Sequence, residues 1–397
     1  MRSRRTMVRM MAAGAVAVLA LSACGGNDAG SGDSAEGGTY NWGVDSELSG
    51  NLSFYGASIR DGVAAYVEQV NAQGGINGHK IELTALDNAG EQSRAAANAT
   101  QLATANKVNA IFGYSVSASC AAVQPIAERY KVPTACLSVA EHSPYIYNLG
   151  ADNARAADAM FAAAKEVTGK PNPKAAVVHL NTLTGIALAK DMQAKAATSG
   201  VTVATTQEID LRSTDTSGPV AQVVAAQPDV VLISQTGPGL LSILKGVRAA
   251  GVKAPFVWVD GTANFGSLAQ STDEGVYAFN IWQMADPAST ESGVKEYIEA
   301  ITPKLKDGVT AQSVNAGEYV AGYATARAFG EALKACGYPC SGEQLKAQLD
   351  KVSISLPGLL PEFGYTADDH YPYKNWYLYH IVGTKTELVS TIPATAG

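Results

Sequence analysis

The sequence predicts an α/β protein of two doubly wound lobes with parallel central sheets. Strand and helix signals alternate along most of the chain. Each strand–helix–strand step has the length of a right-handed parallel crossover. Length adds a third argument: beyond the N-terminal segment roughly 360 residues remain, too many for one small core. Two sets of strands then point to two sheets rather than one very wide one.

Tyr40 to Val44 reads as the first strand. In the following helix Ile59, Val63, Tyr66, Val67 and Val70 recur at helical spacing on one face. Gly74 and Gly75 supply the left-handed positions that end a helix. Asn77-Gly78 is a turn dipeptide, and Ile81, Leu83 and Ala85 form a strand stopped by Asp87-Asn88. An alanine-rich helix from Gln92 to Asn106 leads to strands at Val108–Phe112 and Val132–Leu137, with a helix from Ser119 to Tyr130 between them. Pro125 marks a local distortion in that helix. Strands at Ala175–Leu180, Val201–Ile209, Val230–Ile233, Phe256–Val259 and Val276–Phe279 continue the series. Helices near Gly185–Ser199, Val220–Ala226 and Leu240–Ala250 separate them. The C-terminal part changes character. Glu291–Leu305, Val314–Ala335 and Ser341–Lys351 read as helices, and Trp376–Val382 with Glu387–Thr391 as a hairpin about Gly383-Thr384.

The chain starts MRSRRTMVRM, with four arginines and no acid, followed by an apolar run from Met10 to Leu21 and then Leu21-Ser22-Ala23-Cys24-Gly25. A basic region, a short apolar stretch and small residues before a cut site make an export signal. The run falls short of the about 20 apolar residues of a membrane-spanning helix. L-S-A-C matches the bacterial lipoprotein signal, so residues 1–23 are expected to be removed and Cys24 to carry the lipid that tethers the protein to the outer face of the membrane. Residues 24–38 are rich in Gly, Ser, Asp and Asn and read as a flexible tether. Loss of the four arginines moves the formal net charge from −7 to −11. Such an acidic surface argues against nucleic acid and against electrostatic binding to anionic lipid.

With Cys24 lipidated, four of the five cysteines remain, in two local pairs: Cys120 with Cys136, and Cys336 with Cys340. An oxidising compartment permits both bridges, and buried free thiols are the alternative. No histidine lies near either pair in sequence, which argues against zinc. The search for an enzyme is negative. The histidines are His79, His142, His179, His370 and His380; H-E-x-x-H, the G-x-S-x-G elbow, the P-loop and a strand-following G-x-G-x-x-G are all missing. His179 reads as a core or cleft residue and Asp368-Asp369-His370 as a solvated turn. No cofactor or metal is expected.

Asn71-Ala72-Gln73-Gly74-Gly75-Ile76-Asn77-Gly78 followed by a strand ending in Asp87 resembles the first helix and second strand of periplasmic binding proteins of the leucine/isoleucine/valine type. These are the solute-capturing components of ABC importers. The resemblance runs over nearly the whole mature chain, most strongly from Leu48 to Ser138 and around Trp258 to Asn264. It implies a clamshell with a three-strand hinge: residues 39–151 and 283–363 in lobe 1, residues 152–282 and 364–397 in lobe 2. It also implies a monomer that works with a permease and its ATPase subunits and makes or breaks no bond.

In open α/β sheets ligands bind outside the carboxyl ends of the strands, and five segments qualify. The loop Leu48–Gly56 is similar to the family's L-S-G…Y-G loop, which makes Tyr55 a cleft residue. After the third strand, Ser115 and Ser117 offer hydroxyls and free N–H groups to a carboxylate; in the family the serine at the position of Ser117 holds it. After the fourth strand come Ser138 and Ala140, where the family usually has threonine or serine at the second position. Thr184 and Thr236 stand where binders of branched-chain amino acids tend to carry tyrosine. Asp260 stands where the family commonly places the acid that pairs with the ligand ammonium; a plain helix cap is the alternative. An amino acid is therefore the default solute. Ala140, Thr184 and Thr236 leave room for an aromatic or small carboxylate, for an amide such as urea, or for a sensory receptor subunit in place of a transport component.

Overall fold

The computed structural model describes residues 38–394 apart from 138–142, 211–212, 214, 235–239, 260–267 and 269–272. The expected signal segment, Cys24 and the tether lie outside the described residues.

Two sheets organise the chain into two lobes. The first has the order β2-β1-β3-β4-β5 and is parallel throughout. It contains β1 (Tyr40–Ser46), β2 (Ile81–Asp87), β3 (Ala110–Gly113), β4 (Thr134–Cys136) and β5 (Ile146–Asn148). Helices α1 (Ser53–Ala72), α2 (Gln92–Thr104) and α3 (Ser117–Tyr130) make its crossovers. α4 (Asn153–Thr168) leads to the second sheet, of order β14-β13-β10-β9-β8-β6-β7. Its parallel part is β6 (Lys174–Leu180), β7 (Thr202–Ile209), β8 (Val230–Ser234), β9 (Phe256–Trp258) and β10 (Val276–Asn280). α5 (Leu183–Ser199), α6 (Ser217–Ala226) and α7 (Leu240–Ala249) lie between these strands in the chain. The hairpin β13 (Asn375–Val382) and β14 (Lys385–Pro393) is added antiparallel to β10. The intervening helices are α8 (Ser292–Ile301), the short α9 (Ala311–Val314), α10 (Tyr319–Cys336) and α11 (Gly342–Leu349), followed by the two-stranded β11 (Ser353–Leu356) and β12 (Leu360–Gly364).

In both sheets the second-numbered strand pairs on one side of the first, and the rest extend on the other. The order reverses between β1 and β3 in one sheet and between β6 and β8 in the other. These are the switch points where open α/β sheets leave a crevice.

The helix–strand corner follows the sequence closely. Gly74 and Gly75 have φ of 101° and 83°, and Asn77 and Gly78 are also left-handed. Ile76 and His79 exchange backbone hydrogen bonds of 2.8 and 2.9 Å across the turn. The Asn71 side chain closes the corner, donating to the Ile81 carbonyl at 2.8 Å and accepting its N–H at 2.9 Å. Ile59, Val63, Tyr66 and Val67 are buried, as their spacing predicts. Close approach of α1 to α10 requires glycine: a Cβ at Gly62 would lie 2.3 Å from the Tyr319 carbonyl oxygen.

Three expectations need correction. The helix read as Val314–Ala335 is broken at 315–318, because buried Asn315 turns its amide to Ala285, accepting its N–H and donating to its carbonyl, both at 2.8 Å. The Glu318 N–H donates to Ser58 on α1 at 2.8 Å. α4 and β5 had no sequence reading. Asp152 starts α4 by accepting from the N–H of Ala154 at 2.7 Å, and its alanine face (Ala156, Ala157, Ala163, Ala164) is buried. Finally, His370 is no solvated turn residue. It is buried, its Nδ1 lies 2.8 Å from the Ile146 carbonyl, and its ring stacks on Tyr147. Both cysteine pairs are bridged, Cys120–Cys136 and Cys336–Cys340.

Candidate functional site

β1 carries the chain to Asp45, Ser46 and Glu47, all buried although polar or charged. β3, its neighbour across the switch point, ends at Gly113 and passes through Tyr114 and Ser115 to Ser117, the first residue of α3. The two strand ends are pressed together: a Cβ at Gly113 would lie 2.0 Å from the Asp45 carbonyl oxygen, and the Gly113 φ of 145° suits glycine. Tyr114 follows in a left-handed conformation, φ 60°, with its side chain fully buried.

Glu47 is the centre of this end. Its Oε2 accepts the Ser115 hydroxyl at 2.6 Å, the Ser115 N–H at 3.3 Å and the Ser46 hydroxyl at 3.3 Å. Its Oε1 is buried and has no partner among the described residues. Sequence reading missed Glu47, and the role expected for Ser115 changes with it: the hydroxyl offered to a ligand carboxylate already serves one of the protein's own. The signal that could have found it was a second acid two residues after Asp45, at the end of a strand whose Tyr40, Trp42 and Val44 are apolar, just before the Leu48-Ser49-Gly50 loop.

Asp45 lies deeper. Asn98 donates to its Oδ1 at 2.9 Å, and the Tyr114 hydroxyl and Asn88 amide also face it. Burial pushes its carboxyl up to about 7, with the Asn98 hydrogen bond and the facing Tyr114 and Asn88 groups opposing the shift and the charge of Glu47 adding to it. Burial beside Asp45 likewise drives the Tyr114 phenol far above its ordinary range.

The loop after β1 is tied down by the far end of the glycine corner. Asp87 accepts the Leu48 N–H at 3.0 Å, the Ser49 hydroxyl at 2.6 Å and the Ala89 N–H at 2.8 Å. Desolvation raises its carboxyl, but these bonds outweigh it and hold Asp87 below the usual carboxylate range. Tyr55, in the first turn of α1, is half-buried, with its ring edge-on to exposed Phe54. Ser117 Oγ and Ser119 Oγ, at the start of α3, are buried without partners. The N-cap position of that helix is Val116, whose side chain cannot cap it.

In the second sheet, His179 is buried at the end of β6, its Nδ1 3.0 Å from the Leu180 carbonyl. Thr182 caps α5 by accepting the Gly185 N–H at 3.0 Å, and Thr184 follows with its Oγ1 buried and unpartnered. Ser234, at the end of β8, likewise buries a free Oγ. Ser138, Ala140, Thr236, Asp260 and His142 lie outside the described residues. Elsewhere, a surface groove of ≈ 640 Å³ between α1, α8 and α10 is lined by charges of both signs. Its Arg327 is paired with Glu296 and with Glu331, so the groove reads as a salt-bridged helix contact. Among the described residues no group of three or more His, Cys, Asp or Glu is placed to hold a metal ion, and no helix is long and apolar enough to cross a membrane.

Two largely parallel sheets with reversed strand order thus each end in buried polar groups. The family model described as "Periplasmic binding protein" matches residues 39–386. The chain belongs to this family. The binding protein has the α/β, two-lobed architecture of its type I members. It is 27% identical over 242 residues to the Leu/Ile/Val-binding protein of Citrobacter freundii, a match covering 58% of this chain and 64% of that relative. It is 26% identical over 343 residues to the Leu/Ile/Val-binding protein homolog 7 of Brucella suis, covering 81% and 84%. Among solved structures it resembles the branched-chain amino acid transporter substrate binding protein of Streptococcus pneumoniae in complex with isoleucine. The TM-score is 0.74 at 22% identity, over 90% of this chain and 100% of that one. A solute binding protein of an R. palustris ABC transporter in complex with benzoate matches with a TM-score of 0.75 at 19% identity, over 91% and 98%. At such identities the structural likeness establishes the fold of the binding protein.

Proposed function

We propose that the protein is an extracytoplasmic, lipid-anchored solute-binding component of an ABC importer. The solute is a small polar molecule, with an amino acid as the default, captured between the lobes and handed to the permease. Lobe 1 comprises residues 39–151 and 283–363, and lobe 2 residues 152–282 and 364–397. The lipid on Cys24 holds the chain at the membrane, and a monomer suffices for binding. The observation that supports this most is the set of buried, unpartnered side-chain oxygens at the switch points of both sheets: Glu47 and Ser117 on one, Thr184 and Ser234 on the other. Buried polar atoms without partners are costly in a folded protein. Here they cluster where the fold leaves a crevice, and a polar solute would satisfy them. A solute touching both lobes gains its full contacts only when they close, so it shifts the population toward closure. The permease then reads the closed shape.

A second reading, a nitrogen-free aromatic acid as solute, draws on the benzoate-bound R. palustris relative. A thermal-shift screen over amino acids, aromatic acids and amides separates the two. A specific solute at about a hundred times its Kd should stabilise the protein by about 2.7 kcal/mol. If the solute is an amino acid, Asp260→Asn should cost about 1.5–3 kcal/mol of binding, the loss of a charged hydrogen bond. Unchanged affinity by calorimetry removes the ammonium role of Asp260, and turnover of a bound compound contradicts the binding-protein reading.

A further inference from the structure

We propose that Glu47 and Ser117 together form a donor–acceptor subsite on lobe 1, so that the solute carries an N–H donor beside an oxygen acceptor. An amino acid or a carboxamide fits, and a plain carboxylate does not. The inference rests on the solute-binding reading above and deepens it.

The argument begins with the two oxygens of Glu47. The side chain is 0% exposed. Among the described residues one oxygen takes every donor, two from Ser115 and one from Ser46, and the other takes none. A buried carboxylate oxygen without a donor carries a large desolvation cost. A donor arriving with the solute completes the shell, and a charged one also offsets the buried charge.

Ser117 is a separate observation with the opposite polarity. Its hydroxyl is buried and unpartnered at the first residue of α3. The N-terminus of that helix has no side-chain cap. A hydroxyl together with uncapped N–H groups at a helix start suits an oxygen acceptor. Ser115 links the two halves: it bonds to Glu47 through both its hydroxyl and its N–H, and stands two residues before Ser117. Glu47 and Ser117 thus follow the ends of β1 and β3, which pair across the switch point with Asp45 opposite Gly113.

A carboxylate alone would satisfy Ser117 but bring a second negative charge up to Glu47 and give Oε1 no donor. Asp45, already pushed up to about 7 by burial and by Glu47, shows how poorly this end accommodates more negative charge. A carboxamide offers its oxygen to Ser117 and its N–H to Glu47. An amino acid offers carboxylate and ammonium in the same sense. That keeps the carboxylate on Ser117, as the family pattern implies, and adds Glu47 as a partner for the N–H group on the same lobe.

The test uses matched probes on shared skeletons with the mature protein: isovalerate, isovaleramide and valine; phenylacetate, phenylacetamide and phenylglycine. Thermal shift and calorimetry are read for the wild type, Glu47→Leu and Ser117→Ala, with far-UV circular dichroism of each variant. In the wild type, an N–H-bearing member should bind at least tenfold more tightly than the carboxylate of its series. Glu47→Leu should erase that preference, and Ser117→Ala should weaken the N–H-bearing member several-fold. A carboxylate that binds as tightly as its amide and amino-acid counterparts overturns the proposal from wild-type data alone, whatever the folding of the variants. So does wild-type selectivity in a folded Glu47→Leu protein. If one of the three classes in a wider screen binds but it is the nitrogen-free acids, solute binding stands and this subsite falls. If no compound of any class binds, the solute-binding reading fails first.

Discussion

The two switch points share a topology and differ in the polar groups that their described residues bury. At the end of the first sheet, Asp45 and Glu47 bury two carboxyl groups within two residues of each other. At the end of the second, the buried polar atoms among the described residues include the Thr184 and Ser234 hydroxyls and the His179 ring, while the carboxylate of Asp210 is exposed and accepts from Asn181 at 2.9 Å. Among the described residues the first wall thus buries carboxyl groups and the second buries neutral hydroxyls. Ligand specificity in such an architecture is set by a few strand-end residues, while the strands behind them keep to an apolar pattern. The first wall also stores instability, because a buried carboxyl costs more than a buried hydroxyl.

The largest expected effect exposes that cost. Asp45 titrates near 7 in the folded protein against an ordinary value of 3.8. Its folded form therefore holds a proton that the unfolded form has lost, so this contribution to stability is intact below about pH 4 and is lost as pH rises through 7. The gap corresponds to roughly 4 kcal/mol at alkaline pH. Asp45→Asn should recover much of it at pH 8 and little at pH 4, measured by urea unfolding at both values. A pH-independent effect would show that Asp45 is not the strained group of this wall.

The disulfides come next. Cys120–Cys136 joins the start of α3 to the end of β4, directly behind the first wall, across 16 residues. Its replacement by two alanines should cost about 3 kcal/mol on loop entropy, and loss of Cys336–Cys340, spanning only 4 residues, about 2 kcal/mol. Equal losses in denaturant unfolding would mean that strain rather than loop length sets their contribution. The smallest effect belongs to the second wall. Ser234→Ala and Thr184→Ala each remove a hydroxyl without a partner, so the empty protein should melt within about 0.5 kcal/mol of wild type, or slightly higher. A large destabilisation of either variant would show that these hydroxyls are structural.

The same contrast explains what could be read in the sequence. The corner from Asn71 to Asp87 was legible because local chemistry decides it: glycines at left-handed positions, a turn dipeptide and an asparagine bonded to the strand beyond. The alternation of strands and helices gave the two-sheet architecture for a similar reason. α4 was not legible, because its buried face is alanine, and a stripe of alanines carries little hydrophobic contrast. The break at 315–318 escaped because it depends on Asn315 reaching Ala285, thirty residues away. Glu47 escaped for the same kind of reason. An acid before a glycine loop reads as solvent-exposed until β3 is laid beside β1 and Ser115 is brought onto it.

The central claim is that one solute bridges the two walls. The most direct measurement is the affinity, by calorimetry, of the best probe from the screen for Glu47→Leu, for Ser234→Ala and for the double variant. The account predicts that each single change weakens binding, Glu47→Leu by tenfold or more and Ser234→Ala by about fivefold, while Ser234→Ala leaves the melting temperature of the empty protein in place. Wild-type affinity in Ser234→Ala and Thr184→Ala alike would place the solute on the first sheet alone and contradict the account.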